Sequence, residues 1–270
     1  MYNVKLITYP NGSAQVKQYS HPVGRETVDP SITKRENPER KELLKTCRDF
    51  GIVLGDKDEL MRNSLSRTRK KIAEYARCFC PEYFCTLTFD PKHTDRTDFN
   101  LCMKRARNWL SNQRQRYAPD IQYLCVPELH TKNQAKYGLC WHVHFLMAQT
   151  GNMEMTFSGK LTKSGQKIYN LSGWHFGFST AVPIEPGKEN LYRVQNYVVK
   201  YMTKQAHALS KGAHRYYVSN NLKNPEIRKF FIDPGKQEEK IEEICAELDK
   251  EVTWVSEISG YVDVRCHELQ

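Results

Sequence analysis

"CWHVHFLMA", residues 140–148, places Trp141, Val143 and Phe145 on one parity and His142 and His144 on the other. Alternation with a period of two is the mark of a β-strand, whose successive side chains point to opposite faces. His142 and His144 therefore project together, roughly 6–7 Å apart on one face. The chain has only 9 histidines. Two of them sharing one apolar strand are either half-buried groups satisfied by hydrogen bonds or a pair able to converge on a metal.

The preceding apolar run, "IQYLCVPEL" (121–129), reads as a second strand, joined to the first by a polar loop. Paired as a hairpin, the two strands bring Glu128 onto the histidine face, with His130 as a spare candidate two residues on. Two nitrogens and one oxygen with open positions suit a divalent ion that also holds substrate oxygens. Imidazole ligands favour Mn²⁺ over Mg²⁺, which prefers all-oxygen sites.

Upstream, "YFCTLTFDP" (83–91) alternates Thr86 and Thr88 with Cys85, Leu87 and Phe89, and ends at Asp90-Pro91, a third strand. "SLSRTRKKIAEYARCF" (64–79) repeats Leu65, Thr68, Ile72, Tyr75 and Phe79 at helical spacing, with Arg67, Lys70 and Lys71 opposite. A second helix follows Asp98, a candidate N-cap. It carries Phe99, Cys102, Ala106 and Trp109 on one stripe, and Lys104, Arg105 and Arg107 outside. Residues 149–173 read as a Gly/Ser/Lys-rich excursion, "WHFGFSTAVPI" as a strand, and "NLYRVQNYVVKYMTKQAHAL" as a helix. "HRYYVSNNL" reads as a strand with a turn at Asn220-Asn221, residues 236–250 as an acidic helix, and "VTWVSEISGYVDVRC" as a hairpin near Ser259-Gly260. Interspersed helices and closely linked strands imply an α+β fold with antiparallel pairing. Residues 1–60 are polar and proline-punctuated, an expected N-terminal extension without a core of its own. A central domain is expected over 61–232 and an acidic helix with a hairpin over 233–270.

The formal net charge is +10, from 41 Lys+Arg against 31 Asp+Glu. Such an excess favours a polyanionic partner, nucleic acid first, with the basic helix faces as backbone contacts. The 9 cysteines contain no CxxC pair, which points to reduced thiols and a cytoplasmic setting. The start carries no long apolar run of the kind a signal peptide needs, and no stretch is apolar enough to span a membrane.

"YVVKYMTK" (197–204) holds Tyr-x-x-Lys twice: Tyr197 with Lys200, and Tyr201 with Lys204. On a helix the two hydroxyls lie one turn apart, about 70° and 110° from the centre of the apolar stripe. They either close the rim of a core or act as a chemical pair. A phenol is a poor nucleophile at neutral pH, and a neighbouring ammonium stabilises its phenolate and offsets phosphate charge.

Taken in order, "YFCTLTFD", "PELH…CWHVHF" and "YVVKYMTK" resemble the three motifs of HUH-superfamily endonucleases, specifically two-tyrosine rolling-circle replication initiators of plasmids, integrative elements and single-stranded DNA phages. The resemblance covers roughly residues 60–232 and implies a central five-stranded antiparallel sheet with helices packed on it. It implies a metal held by His142, His144 and Glu128, and attack by Tyr197 or Tyr201 on a DNA phosphate. A 5′-phosphotyrosine would form and a 3′-hydroxyl would be released to prime synthesis. The implied partners are single-stranded DNA at an origin hairpin in a bacterial cell, with a host helicase and polymerase, since no GxxxxGK[ST] motif is present. The loop 130–140 is longer than a tight hairpin. A single-strand transposase or relaxase of the same superfamily is an alternative, as are an iron oxygenase using the two histidines and a carboxylate, and a non-catalytic basic DNA-binding module.

Overall fold

The computed structural model describes residues 1–24, 57–130, 138–185, 214–233, 235–259 and 262–270, with side chains of the first helix from Ser64 onward. The chain divides into two units: Asn63–Lys223, and Met1–Arg62 together with Asn224–Gln270. The fold is α+β, with two antiparallel sheets and three helices among the described residues.

The larger unit is built on a seven-stranded sheet of order β6-β7-β8-β3-β5-β4-β9. Its strands are β3 (Tyr83–Thr88), β4 (Gln122–His130), β5 (Cys140–Ala148), β6 (Met155–Leu161), β7 (Lys167–Leu171), β8 (Ser179–Pro183) and β9 (Tyr217–Val218). The histidine strand β5 lies between β3 and β4. Five strands were expected; the two extra ones come from the segment read as an excursion, where β6 and β7 pair as a hairpin at the sheet edge. Most of β6 is exposed on both faces, so no apolar alternation betrays it.

Alternation along β5 sorts the sheet into two faces. Val143, Phe145 and Met147 join Cys85, Leu87 and Cys125 beneath α2 (Phe99–Arg116), whose Cys102, Met103, Ala106 and Trp109 complete one core. Asp98 caps this helix as expected, its carboxylate accepting from the Leu101 amide at 3.1 Å. On the other face Leu124, Val126, Leu146 and Ala148 meet Ile72 and Ala76 of α1 (Lys57–Ala76) and Phe79 just beyond it. Each large apolar side chain buried in this way contributes about 1.5–3 kcal/mol. Near the end of β3 the chain crosses at Gly177, where a Cβ would meet the Thr88 carbonyl oxygen at 2.3 Å, so only glycine fits.

The chain ends form the second unit, where an irregular extension was expected. β1 (Tyr2–Thr8), β2 (Ala14–Val23), β10 (Glu226–Phe230), β11 (Val252–Ile258) and β12 (Val264–Leu269) make a sheet of order β10-β1-β2-β12-β11. α3 (Gln237–Leu248) packs Ile241 and Ile244 against Val4, Leu6, Val16 and Leu269. Residues 1–23 therefore do own a core, shared with the C-terminal segment. The unit boundaries fall at 62/63 and 223/224 instead of 60/61 and 232/233 because β10 belongs to this sheet. No helix among the described residues is long and apolar enough to cross a membrane.

Candidate active site

β4 and β5 pair with Glu128 opposite His142, Val126 opposite His144 and His130 opposite Cys140. β3 pairs on the other side with Thr86 opposite His144 and Thr88 opposite His142. Directly paired residues share a face, so Thr86, Glu128, His130, Cys140, His142 and His144 all belong to one face of three adjacent strands. Beyond Cys125, β4 has no partner strand on its outer side among the described residues. Among those residues, the polar end of the sheet is an edge.

His144 is held from both sides. Its Nδ1 lies 3.0 Å from the Thr86 hydroxyl and its Nε2 2.6 Å from Glu128 Oε2. Phe84 stacks on the ring with an interplanar angle of 9°. A neutral imidazole that donates from Nε2 to the carboxylate accepts from Thr86 at Nδ1. If Nε2 gives up its proton to coordinate a cation, the same hydroxyl accepts from Nδ1–H instead. Thr86 supports either tautomer, since a hydroxyl both donates and accepts. Thr88 serves the backbone instead. Its hydroxyl donates to the Phe178 carbonyl and accepts from the Phe178 amide, both at 3.0 Å. The two alternating threonines of β3 are therefore one histidine support and one backbone anchor.

His142 sits in a more apolar place. Burial pushes its pKa down to about 4, helped by His130, His144 and Arg96 and opposed by Glu128. The ring is neutral at physiological pH, with a lone pair free for a ligand. Burial acts to raise the Glu128 carboxyl, but the hydrogen bond and charge of His144, with those of His142 and His130, outweigh it and hold the pKa below the ordinary value. Glu128 is ionised. Two imidazoles and one carboxylate on one face fit the donor set of a divalent cation. His130 stacks on His142 at 4.8 Å between ring centroids, and the Cys140 thiol lies 3.7 Å from His142 Nε2. His130 was noted from sequence only as a spare; Cys140 and Arg96 were not singled out. The Cys140 signal was readable, as position i−2 from His142 on the same strand.

The candidate basic contacts divide between the two faces. α1, with Arg67, Lys70 and Lys71, packs on the histidine face, although Lys71 pairs with Glu74 at 2.6 Å. α2 packs on the opposite face, so Lys104, Arg105 and Arg107 are not gathered around the histidines. Arg105 is half-buried over the Phe176 ring at 4.5 Å, and Arg107 lies 5.9 Å from the Tyr217 ring. Tyr197, Lys200, Tyr201 and Lys204, with the helix expected for them, lie outside the described residues.

Residues 82–206 match the family model of the replication-associated protein ORF2. The matching segment runs from just before β3 through the second tyrosine pattern, a little under half of the chain. It takes in Thr86, Glu128, His142 and His144, and it bears out the resemblance to rolling-circle replication initiators carried by the ordered motifs. No curated protein and no solved structure matches the chain.

Proposed function

We propose that the protein nicks and rejoins single-stranded DNA at a replication origin through a 5′-phosphotyrosine intermediate. The observation that carries this reading is the cross-strand cluster of Glu128, His142 and His144 inside the segment matching replication-associated proteins. Its fold is then an HUH endonuclease sheet, with β8-β3-β5-β4-β9 as the five-stranded centre and the β6–β7 hairpin added at its edge. Glu128, His142 and His144 would hold a divalent ion, Mn²⁺ best fitting the nitrogen ligands, which supplies a Lewis acid for a phosphodiester oxygen.

The remaining chemistry belongs to the chain. Tyr197 or Tyr201 loses its phenolic proton and attacks the phosphorus. The P–O3′ bond breaks, and the released 3′-oxygen takes a proton to become the hydroxyl that primes synthesis. Lys200 and Lys204 offset phenolate and phosphate charge. The phosphotyrosine bond conserves the energy of the cleaved linkage, so rejoining needs no ATP. A second tyrosine permits a second transfer. Arg67 and Lys70 on the histidine face are suited to backbone phosphates. Unwinding and elongation fall to a host helicase and polymerase.

Incubation with labelled single-stranded origin DNA and Mn²⁺, followed by denaturing electrophoresis, tests the proposal. The expected product is a protein–DNA band that survives denaturation and is lost in the Tyr197→Phe/Tyr201→Phe variant. Retention that ignores Mn²⁺ and leaves no adduct would support a simple binding module instead.

A further inference from the structure

Three ligating side chains cluster next to the nicking site without all being needed by it. His130, Cys140 and His142 each present a donor atom within 4.8 Å of the other two. All three arise from adjacent positions of one hairpin, His130 directly opposite Cys140, and His142 two residues further along β5. The Cys140 Sγ to His142 Nε2 separation is 3.7 Å. Zinc–sulfur and zinc–nitrogen bonds of about 2.3 and 2.0–2.1 Å at a tetrahedral angle demand about 3.5 Å between the donors. That pair is already spaced for zinc, and His130 stacks on the ring that completes the set.

We propose that His130, Cys140 and His142 form a second cation site, selective for zinc, which competes with the manganese site because both draw on His142. The competition rests on the nicking role proposed above; the zinc site does not. A thiolate is a soft ligand that favours Zn²⁺ and disfavours Mn²⁺ and Mg²⁺, whereas Glu128 with two imidazoles is the harder set. On binding, the Cys140 thiol releases its proton to solvent as the sulfur–zinc bond forms, with no change of oxidation state. Three protein ligands leave a fourth position for water or a phosphate oxygen. Zinc at this site commits the His142 lone pair and orients the ring toward Cys140. Manganese at the neighbouring set then has only His144 and Glu128. Free zinc would therefore restrain nicking.

Cobalt(II) reports on the site directly, because a bound thiolate gives an intense near-ultraviolet charge-transfer band. Titration of the full chain with Co²⁺ alone should produce that band, and added Zn²⁺ should bleach it. Cys140→Ser should abolish the band. His130→Gln, at the half-buried end of β4, should lower zinc affinity by more than the roughly 10- to 100-fold that loss of an outer-shell partner costs. It also decides the matter if the cysteine variant does not fold. In the wild-type chain Zn²⁺ should suppress Mn²⁺-dependent adduct formation, and excess Mn²⁺ should restore it. A band that persists in both variants, or its absence from folded wild-type protein, overturns the zinc site. An adduct without the band would sink this site and leave the nicking proposal standing. The band without any adduct would do the reverse.

Discussion

Glu128 hydrogen-bonds at 2.6 Å to His144, not to His142, the residue directly opposite it across the β4–β5 pair. His130 likewise stacks on His142, not on its own partner Cys140. Both contacts are diagonals of the same sense, each β4 side chain reaching a β5 residue two positions further along. A twisted antiparallel pair brings such diagonal neighbours into reach of long side chains. The carboxylate consequently belongs to His144, and His142 is left beside His130 and Cys140.

Thr86→Val tests the support of His144. The substitution keeps the side-chain shape and removes the hydroxyl bonded to Nδ1. Manganese affinity, read by calorimetry, should fall by about 10- to 100-fold with the melting curve little changed. Unaltered affinity would mean that Thr86 does not orient the ring.

His144→Ala should abolish cleavage while single-stranded DNA binding persists. Full cleavage by this variant, followed on a denaturing gel, would remove the metal site from the mechanism.

Reversing charge on the two helices should separate the two faces of the sheet. Arg67→Glu/Lys70→Glu on α1 should weaken single-stranded DNA binding and reduce the salt slope by about one per lost phosphate contact. Lys104→Glu/Arg107→Glu on α2, which packs on the far face, should act less. Fluorescence anisotropy across a salt series checks this. Equal effects would require DNA to wrap both faces.

Much of the site was legible because it depends on strand parity. The spacing of His142 and His144, the threonines of β3 and the position of Glu128 in a neighbouring apolar run were enough to put them on one face. The Asp98 cap was readable for a similar local reason. What escaped was non-local or unpatterned. Diagonal contacts depend on twist, which no residue spacing encodes. The β6–β7 hairpin is exposed on both sides, so it lacks alternation. β1 pairs Thr8 with Glu226, a match between distant chain segments that neither displays alone.

Phe178 is 84% exposed, and its backbone is pinned to the Thr88 hydroxyl at the end of β3. A large apolar ring held in water beside the site suits an unpaired base. Phe178→Ala should weaken single-stranded DNA binding by about 1–3 kcal/mol, the worth of one stacked base, without lowering stability. Unchanged binding in an anisotropy titration would exclude it from the DNA path.

The attacking atom itself offers the most direct test. After reaction with origin DNA and Mn²⁺, nuclease trimming and proteolysis, tandem mass spectrometry should find a nucleotide phosphate on the peptide bearing Tyr197 or Tyr201. The same modification should be absent from the His144→Ala reaction. A nucleotide attached at any other residue, or cleaved DNA with no modified tyrosine, would contradict nicking through a phosphotyrosine.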